Sequence, residues 1–432
     1  MDILKHLMKN AEQVEVVSLQ DEKTTIEFEA NKLKASKVAE TTGIAVRVVR
    51  NGKLGFSASS DARALEKLAA NALESAAYGD QTALVFPGVR PALSVATYDQ
   101  TIADLPISRL VEIGREILDL ILSVDPDIKV NISLERSVQS TNLRNQTGLE
   151  IAFQRSPLSI GVEIDRIEGD DVLILYDQTG TTLWEKDYLA FVHRLVEKLK
   201  LARHITTFRS GNMPVLFSPT GTLALGLPLM QGLNGKNVYK GTSPMASKFG
   251  EKLFDDKVSV VDDGTIDGRF ASAPYDDEGV PHRRNALVDR GVLKGFLYDL
   301  KTAVLSGAES TGNASRGLFN PPEPARTNLL ILPGNQSLAN IIAGIDEGLL
   351  VEELLGLGQG NIISGAFSNP LSLAFKIEKG QIVGRVKDVA IAGNVYELLK
   401  NVTAISQETL WIYNSLCLPY ILLPEMNVVA KG

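Results

Sequence analysis

The spacing of apolar and polar positions divides the chain into many short strands and a few amphipathic helices. Ile3, Leu4 and Leu7 share one side of a short helix over 2–11, and period-two alternation then predicts strands at 14–19 and 24–30. Strands at 44–50 and 53–57 flank Asn51-Gly52, a pair suited to the positive φ angles of a two-residue hairpin turn. Leu65, Leu68, Ala69, Ala72, Leu73 and Ala76 recur at helical spacing, with Ser60 or Asp61 as the expected cap and Gly79 as the end. After a proline-bearing connector the pattern restarts at Pro106. A helix carries Leu110, Ile113, Ile117, Leu120 and Ile121 on one face, strands follow at 129–136, 149–155, 158–167 and 171–176, and a helix covers 188–203. Thr42-Gly43-Ile44 has an echo in Thr147-Gly148-Leu149, which predicts a duplicated unit.

Beyond Phe208-Arg209-Ser210-Gly211 the chain turns glycine-rich and β-rich. A strand at 214–217, an apolar helix over 221–232 containing Pro228 and a polar loop at 235–252 lead into strands near 292–299 and 328–332. A helix at 337–345 and strands about 349–354, 371–378, 381–389 and 419–423 complete the reading. The expected fold is α+β with two domains. Residues 1–210 form a duplicated helix–sheet–helix domain (1–80 and 105–205), and 211–432 form a β-rich, barrel-like domain whose sheet closes or nearly closes at Gly-rich corners.

Composition narrows the function. The chain has 432 residues, 44% hydrophobic and 22% charged, as a globular protein does. A net charge of −8 argues against a broad phosphate-binding face, so no direct nucleic-acid contact is expected. The apolar runs are too short for a membrane helix. The N-terminal segment mixes acid and base without a signal-peptide core, and Cys417 is the single cysteine, so the cytoplasm is the expected compartment.

The densest chemistry lies in 258–284. Val258, Val260 and Val261 read as a strand stopped by Asp262-Asp263-Gly264. A second acidic turn, Asp276-Asp277-Glu278-Gly279, follows small residues and precedes His282, Arg283 and Arg284, a block of cationic donors. Asp276, Asp277, Glu278, His282, Arg283 and Arg284 are therefore candidate contacts to a peptide or a partner; the plainer reading is a pair of solvated turns.

VVDDGTIDGRFASAPYDDEGVPHRRNALVDRGVLKGFLYDLKTA resembles the core signature of the TldD/PmbA family, once described as modulators of DNA gyrase and regarded as peptide-processing metalloproteases. The similarity continues through Thr311-Gly312-Asn313, 348–351, 356–360, 391–394 and Leu423-Pro424-Glu425-Met426. In the TldD branch, H-E-x-x-x-H supplies two zinc ligands and a general base. The gap-free alignment places that hexapeptide on Gly226-Leu227-Pro228-Leu229-Met230-Gln231. Gly226 and Gln231 replace the histidines and Leu227 the glutamate, and none can perform those tasks. His6, His193, His204 and His282 lack ligand spacing, and Cys417 sits among apolar residues. No catalytic residue and no metal is expected in this chain.

The resemblance, together with the Leu423–Met426 ending, implies the PmbA branch, also called TldE. It implies a non-metal subunit paired with a TldD-type chain that carries the zinc, the two acting on unfolded or modified peptides. A homodimeric peptide-binding protein without catalysis is the alternative. A gyrase modulator is a third reading, without physical support in the charge or the aromatic pattern.

Overall fold

The computed structural model describes residues 2–61 and 63–430. The first part runs α1 (Ile3–Leu7), β1 (Gln13–Glu29), β2 (Lys32–Arg50), β3 (Lys53–Ser59), α2 (Leu65–Tyr78), α3 (Gln100–Ala103) and α4 (Ile107–Leu122). It continues with β4 (Lys129–Asn145), β5 (Glu150–Arg155), β6 (Leu158–Glu168), β7 (Asp171–Thr181) and α5 (Ala190–Ala202). These strands form one seven-stranded sheet in the order β3-β2-β1-β4-β6-β7, with β5 beside β4. Asn51 (φ 54°) and Gly52 (φ 70°) make the expected turn between β2 and β3.

Two expectations need correction here. β1 is unbroken where the pattern split it, and β2 starts at Lys32, well before residue 44. The missed part of β2 pairs only with β1 and is exposed on both faces, so it carries lysines and glutamate in place of alternating apolar residues. At α2 the N-cap is Ala64, without a side-chain bond, while Asp61 accepts from the Arg63 N–H at 2.9 Å.

The second part runs β8 (Gly211–Phe217), α6 (Pro219–Gly232), α7 (Gly235–Tyr239), β9 (Val260–Asp263), β10 (Arg284–Asp289), β11 (Val292–Leu293) and α8 (Leu300–Leu305). Then come β12 (Ala314–Ser315), β13 (Glu323–Pro324), β14 (Leu329–Ile331), α9 (Leu338–Ala343), β15 (Glu347–Leu354) and β16 (Ala366–Glu378). β17 (Gln381–Arg385), β18 (Val389–Asn394), α10 (Val395–Leu398), β19 (Ala404–Ile412) and β20 (Leu416–Ala430) complete it. An eleven-stranded sheet runs β11-β10-β9-β14-β20-β18-β16-β15-β8, with β17 beside β16 and β19 beside β20, and β20 also pairs with β8, which closes a barrel. The strand expected over 292–299 shrinks to Val292–Leu293, entered through a turn in which Arg290 and Gly291 both take positive φ and bring the chain back along β10. The polar loop at 235–252 contains α7, and 381–389 is broken before β18, where Asp388 has φ 54°.

Helices α4 and α5 pack between the two sheets. Ile113, Ile117, Val192, Leu195 and Leu199 share one core with Ile132, Ile160 and Val162 of the first sheet and with Leu350, Phe375 and Ile377 of the barrel. The apolar stripes of these helices are thus covered from both sides. No described helix is long and apolar enough to cross a membrane.

Candidate functional site

The stretch 258–284 lies mostly inside the molecule. β9 runs through Asp262 and Asp263, both buried, so the acidic pair ends a strand from within. Asp262 accepts from Asn313 Nδ2 (2.6 Å), the Thr327 N–H (2.7 Å) and Thr327 Oγ1 (2.8 Å), while burial pushes its carboxyl up to about 6. Gly264 is required by closeness: a Cβ there would lie 2.7 Å from the His282 ring.

The second acidic turn is not the solvated loop expected. Asp276 Oδ1 accepts from the N–H groups of Glu278 and Val280, and Oδ2 from that of Ala314. Burial, and then the charge of Glu278, raises the Asp276 carboxyl well above its ordinary value. Asp277, half-buried, accepts from the Arg316 N–H at 2.8 Å. Glu278 receives the guanidinium of Arg47 at 2.5 Å and the Leu300 N–H at 2.7 Å. Arg47 also makes a forked pair with Glu15 (3.0 and 2.7 Å), and Arg316 reaches the same Glu15 at 2.8 Å. Burial alone would raise the Glu15 carboxyl, but Arg316 and Arg47 hold it below its ordinary value. This network joins β1 and β2 of the first sheet to the second part of the chain, with Glu278 as an internal ion pair, while Asp276 and Asp277 are held by backbone N–H groups; Asp276 and Glu278 are buried, so they are not presented to a peptide in this structure.

His282 is buried, so it is no cationic donor. Burial lowers its pKa to about 4, and Nδ1–H donates to the Gly312 carbonyl at 2.6 Å. Arg283 and Arg284 are exposed; the first binds the Ser310 carbonyl at 2.9 Å and the second pairs with Asp263 at 3.3 Å. Sequence reasoning missed Glu15, Arg47 and Arg316. For Glu15 and Arg47 the available signal was a charge set between valines in strands apolar on both faces; Arg316 had none.

An open cleft of about 640 Å³ lies along α6, between Leu227-Pro228, the glycine-rich segment 355–362 and the edge of β16. Ser218 caps α6 through the Gly221 N–H and Pro219 opens it, a strong N-terminal signal. Pro228 withholds the N–H that would close the turn on Ala224, and Ala224 and Pro228 both line the cleft. The Tyr396 hydroxyl stands 3.0 Å from the Pro228 carbonyl and 3.1 Å from that of Ile363, donating to one at a time, and so ties α6 to the opposite wall. Gly226 faces open space, while Gln231 takes the Asn237 amide on its carbonyl groups.

Over 366–370 the described pairing of β16 is with β18 alone. Pro370 lacks an N–H and its carbonyl accepts from Leu355, so the even-numbered residues here turn their backbone groups toward the cleft. Every side chain lining the cleft is apolar, amide or hydroxyl. Among the described residues, no three His, Cys, Asp or Glu side chains are grouped so as to hold a metal ion. Cys417 is buried in β20, where desolvation raises its thiol pKa.

A model described as the PmbA/TldA metallopeptidase C-terminal domain matches residues 210–430, and one described as PmbA/TldA metallopeptidase domain 1 matches 14–76. A protein named metalloprotease from Methanothermobacter thermautotrophicus is 26% identical over 419 residues, covering 94% of this chain and 90% of that one. A metalloprotease TldD homolog from Haemophilus influenzae is 35% identical over 179 residues, 41% of this chain and 37% of its own. The crystal structure of TldE from Thermococcus kodakarensis superposes with a TM-score of 0.91 at 24% identity, covering 100% of this chain and 99% of that one, and establishes the fold. With a C-terminal model that spans half of its length and relatives that align almost end to end, the chain belongs to the PmbA/TldD family of metallopeptidases.

Proposed function

We propose that this chain is the non-metal-binding, PmbA/TldE-like subunit of a cytosolic TldD/TldE-type metalloprotease complex that processes or degrades unfolded or modified peptides. The chemistry of the α6 cleft carries this reading. The family resemblance aligns H-E-x-x-x-H with Gly226–Gln231, and the cleft wall at that point is Leu227 and Pro228. Zinc needs thiolate, imidazole or carboxylate donors, and the lining offers none, so the residues present do not fit the ion. The zinc then belongs to a TldD-type partner.

What this subunit supplies is a template. The free edge of β16 accepts an extended peptide as an added strand through main-chain hydrogen bonds, which tolerate many side chains. The test is co-expression with a TldD-type chain, followed by size-exclusion chromatography, zinc analysis and turnover of an unstructured peptide. The expected result is a complex whose zinc and turnover depend on the partner. Near one equivalent of zinc on this chain alone, removable by chelator with loss of activity, overturns it. Ser368→Pro removes an edge donor in the same phase as Pro370; turnover should fall roughly tenfold with assembly intact, the effect of losing about one hydrogen bond. The strand edge equally serves a homodimeric peptide-binding protein, which co-expression would reveal as peptide binding without a heteromeric complex.

A further inference from the structure

A second cavity of about 330 Å³ opens beside the cleft, sharing Leu227, Gly356 and Leu357 with it and reaching the junction of the two sheets. Its polar lining includes Glu353 of β15, Tyr176 of β7 and Tyr413 from the turn between β19 and β20. Three independent features place these side chains there. The register of β15 against β16 shifts on both sides of Glu353, a bulge of the kind that re-aims a side chain. Tyr413 and Asn414 hold φ of 45° and 61°, a left-handed pair without glycine. Such strain costs on the order of 1 kcal/mol or more per residue and persists where surroundings enforce it. The Tyr413 and Tyr176 rings stack with centroids 6.5 Å apart.

Glu353 is also under-partnered. Lys198 of α5 is bound to Glu352 at 2.7 Å, and Arg194 of α5 faces Asp177 of β7 at 3.6 Å. The one side-chain hydrogen bond of Glu353 among the described residues is a long contact from Ser372 Oγ, 3.4 Å. Beyond Tyr176 the neighbouring groove is acidic on balance, with Glu27, Glu29 and Glu163 against Lys34, and the Asn131 amide donates to Glu163 and Asp165. A buried-edge carboxyl that makes no ion pair among the described residues, since Lys198, the cation acting on it, is bound to Glu352, lies beside two phenol rings in a cavity joined to a peptide-sized cleft and matches a compact cation on an apolar stem.

We propose that this junction cavity is a subsite for an alkylammonium group, the amino terminus or a lysine side chain of a bound peptide, with Glu353 as counter-ion and Tyr176 and Tyr413 as walls. This rests on reading the chain as a peptide-binding subunit. Burial raises the Glu353 carboxyl to about 7, with Lys198 opposing the shift and Glu352 adding to it. Cation binding therefore strengthens as pH rises through 7. An amino terminus loses its charge near pH ~8 and a lysine near ~10, so the upper limb of the profile tells the two sources apart.

The experiment uses the full chain and a short flexible peptide of neutral residues with a C-terminal dye, read by fluorescence anisotropy. One form has a free amino terminus and no lysine, one is acetylated with a single lysine, and one is acetylated with norleucine at that position. At least one ammonium-bearing form should bind roughly ten- to a hundredfold tighter than the norleucine form. Glu353→Gln, shaped like the protonated acid and expected to fold, should erase the difference and leave the norleucine peptide unaffected. Equal affinities, discrimination that survives in Glu353→Gln, or no binding of any form overturns the subsite. The subunit reading fails on a different result, the absence of a complex with a TldD-type chain.

Discussion

Glu15 and Arg47 stand opposite each other on β1 and β2, and Glu278 and Arg316 arrive from the barrel to share them. Removing one member leaves buried charge uncompensated. Arg47→Met should cost about 3–5 kcal/mol in urea unfolding, whereas a charge-neutral replacement of the whole group costs less. His282 titrates in the same sense as a paired acid, because its folded pKa too is lowered. Its folded pKa of about 4 lies below the ordinary 6.5, so between these values the unfolded chain binds more protons and stability falls with falling pH. The stability advantage of wild type over His282→Asn should shrink by about 3 kcal/mol from pH 7 to pH 4, measured by chemical denaturation at each pH. Single residues were the least legible part of the sequence. Asp276, Glu278 and His282 stood out as a charged cluster, but only the fold reveals that they face inward, because their partners lie on distant strands.

At the scale of elements, α6 shows how one helix can be open on one side and crowded on the other. Gly226 faces space, while a Cβ at Gly232 would lie 2.5 Å from Met245 Cε and 2.8 Å from Tyr396 Oη. Gly226→Ala should stabilise by about 0.5–1 kcal/mol through helix propensity. Gly232→Ala should destabilise, since Tyr396 is held by its hydroxyl, and thermal unfolding of the two variants would show opposite shifts. Elements with one buried face were readable: α4, α5 and the Asn51-Gly52 hairpin came from periodicity and turn chemistry, whereas α6 was read from its apolar composition. The outer part of β2 was not readable, because it has no buried face. β10 went unread: residues 285–291, between the charged stretch and the strand expected near 292–299, were assigned to no element.

At the scale of the molecule, α4 and α5 belong to both sheets, and the core they fill crosses the chain near residue 210. Cutting there would expose Leu350, Phe375 and Ile377 of the barrel. Calorimetry should accordingly show one unfolding transition, and a fragment of 211–432 alone should aggregate through that uncovered face. The α+β class and the closed barrel were legible from strand density and Gly-rich corners, whereas the shared core was not, since long-range packing leaves no local pattern. The Arg47–Glu278 pair gives this architecture a direction in time. Its partners are separated by 231 positions, so at about 5–20 residues per second Arg47 is made some 10–50 seconds before its second carboxylate exists. During synthesis Arg47 has only Glu15, the hairpin carries a half-answered charge, and the nascent N-terminal half waits, wet on that face, for the barrel to dry it.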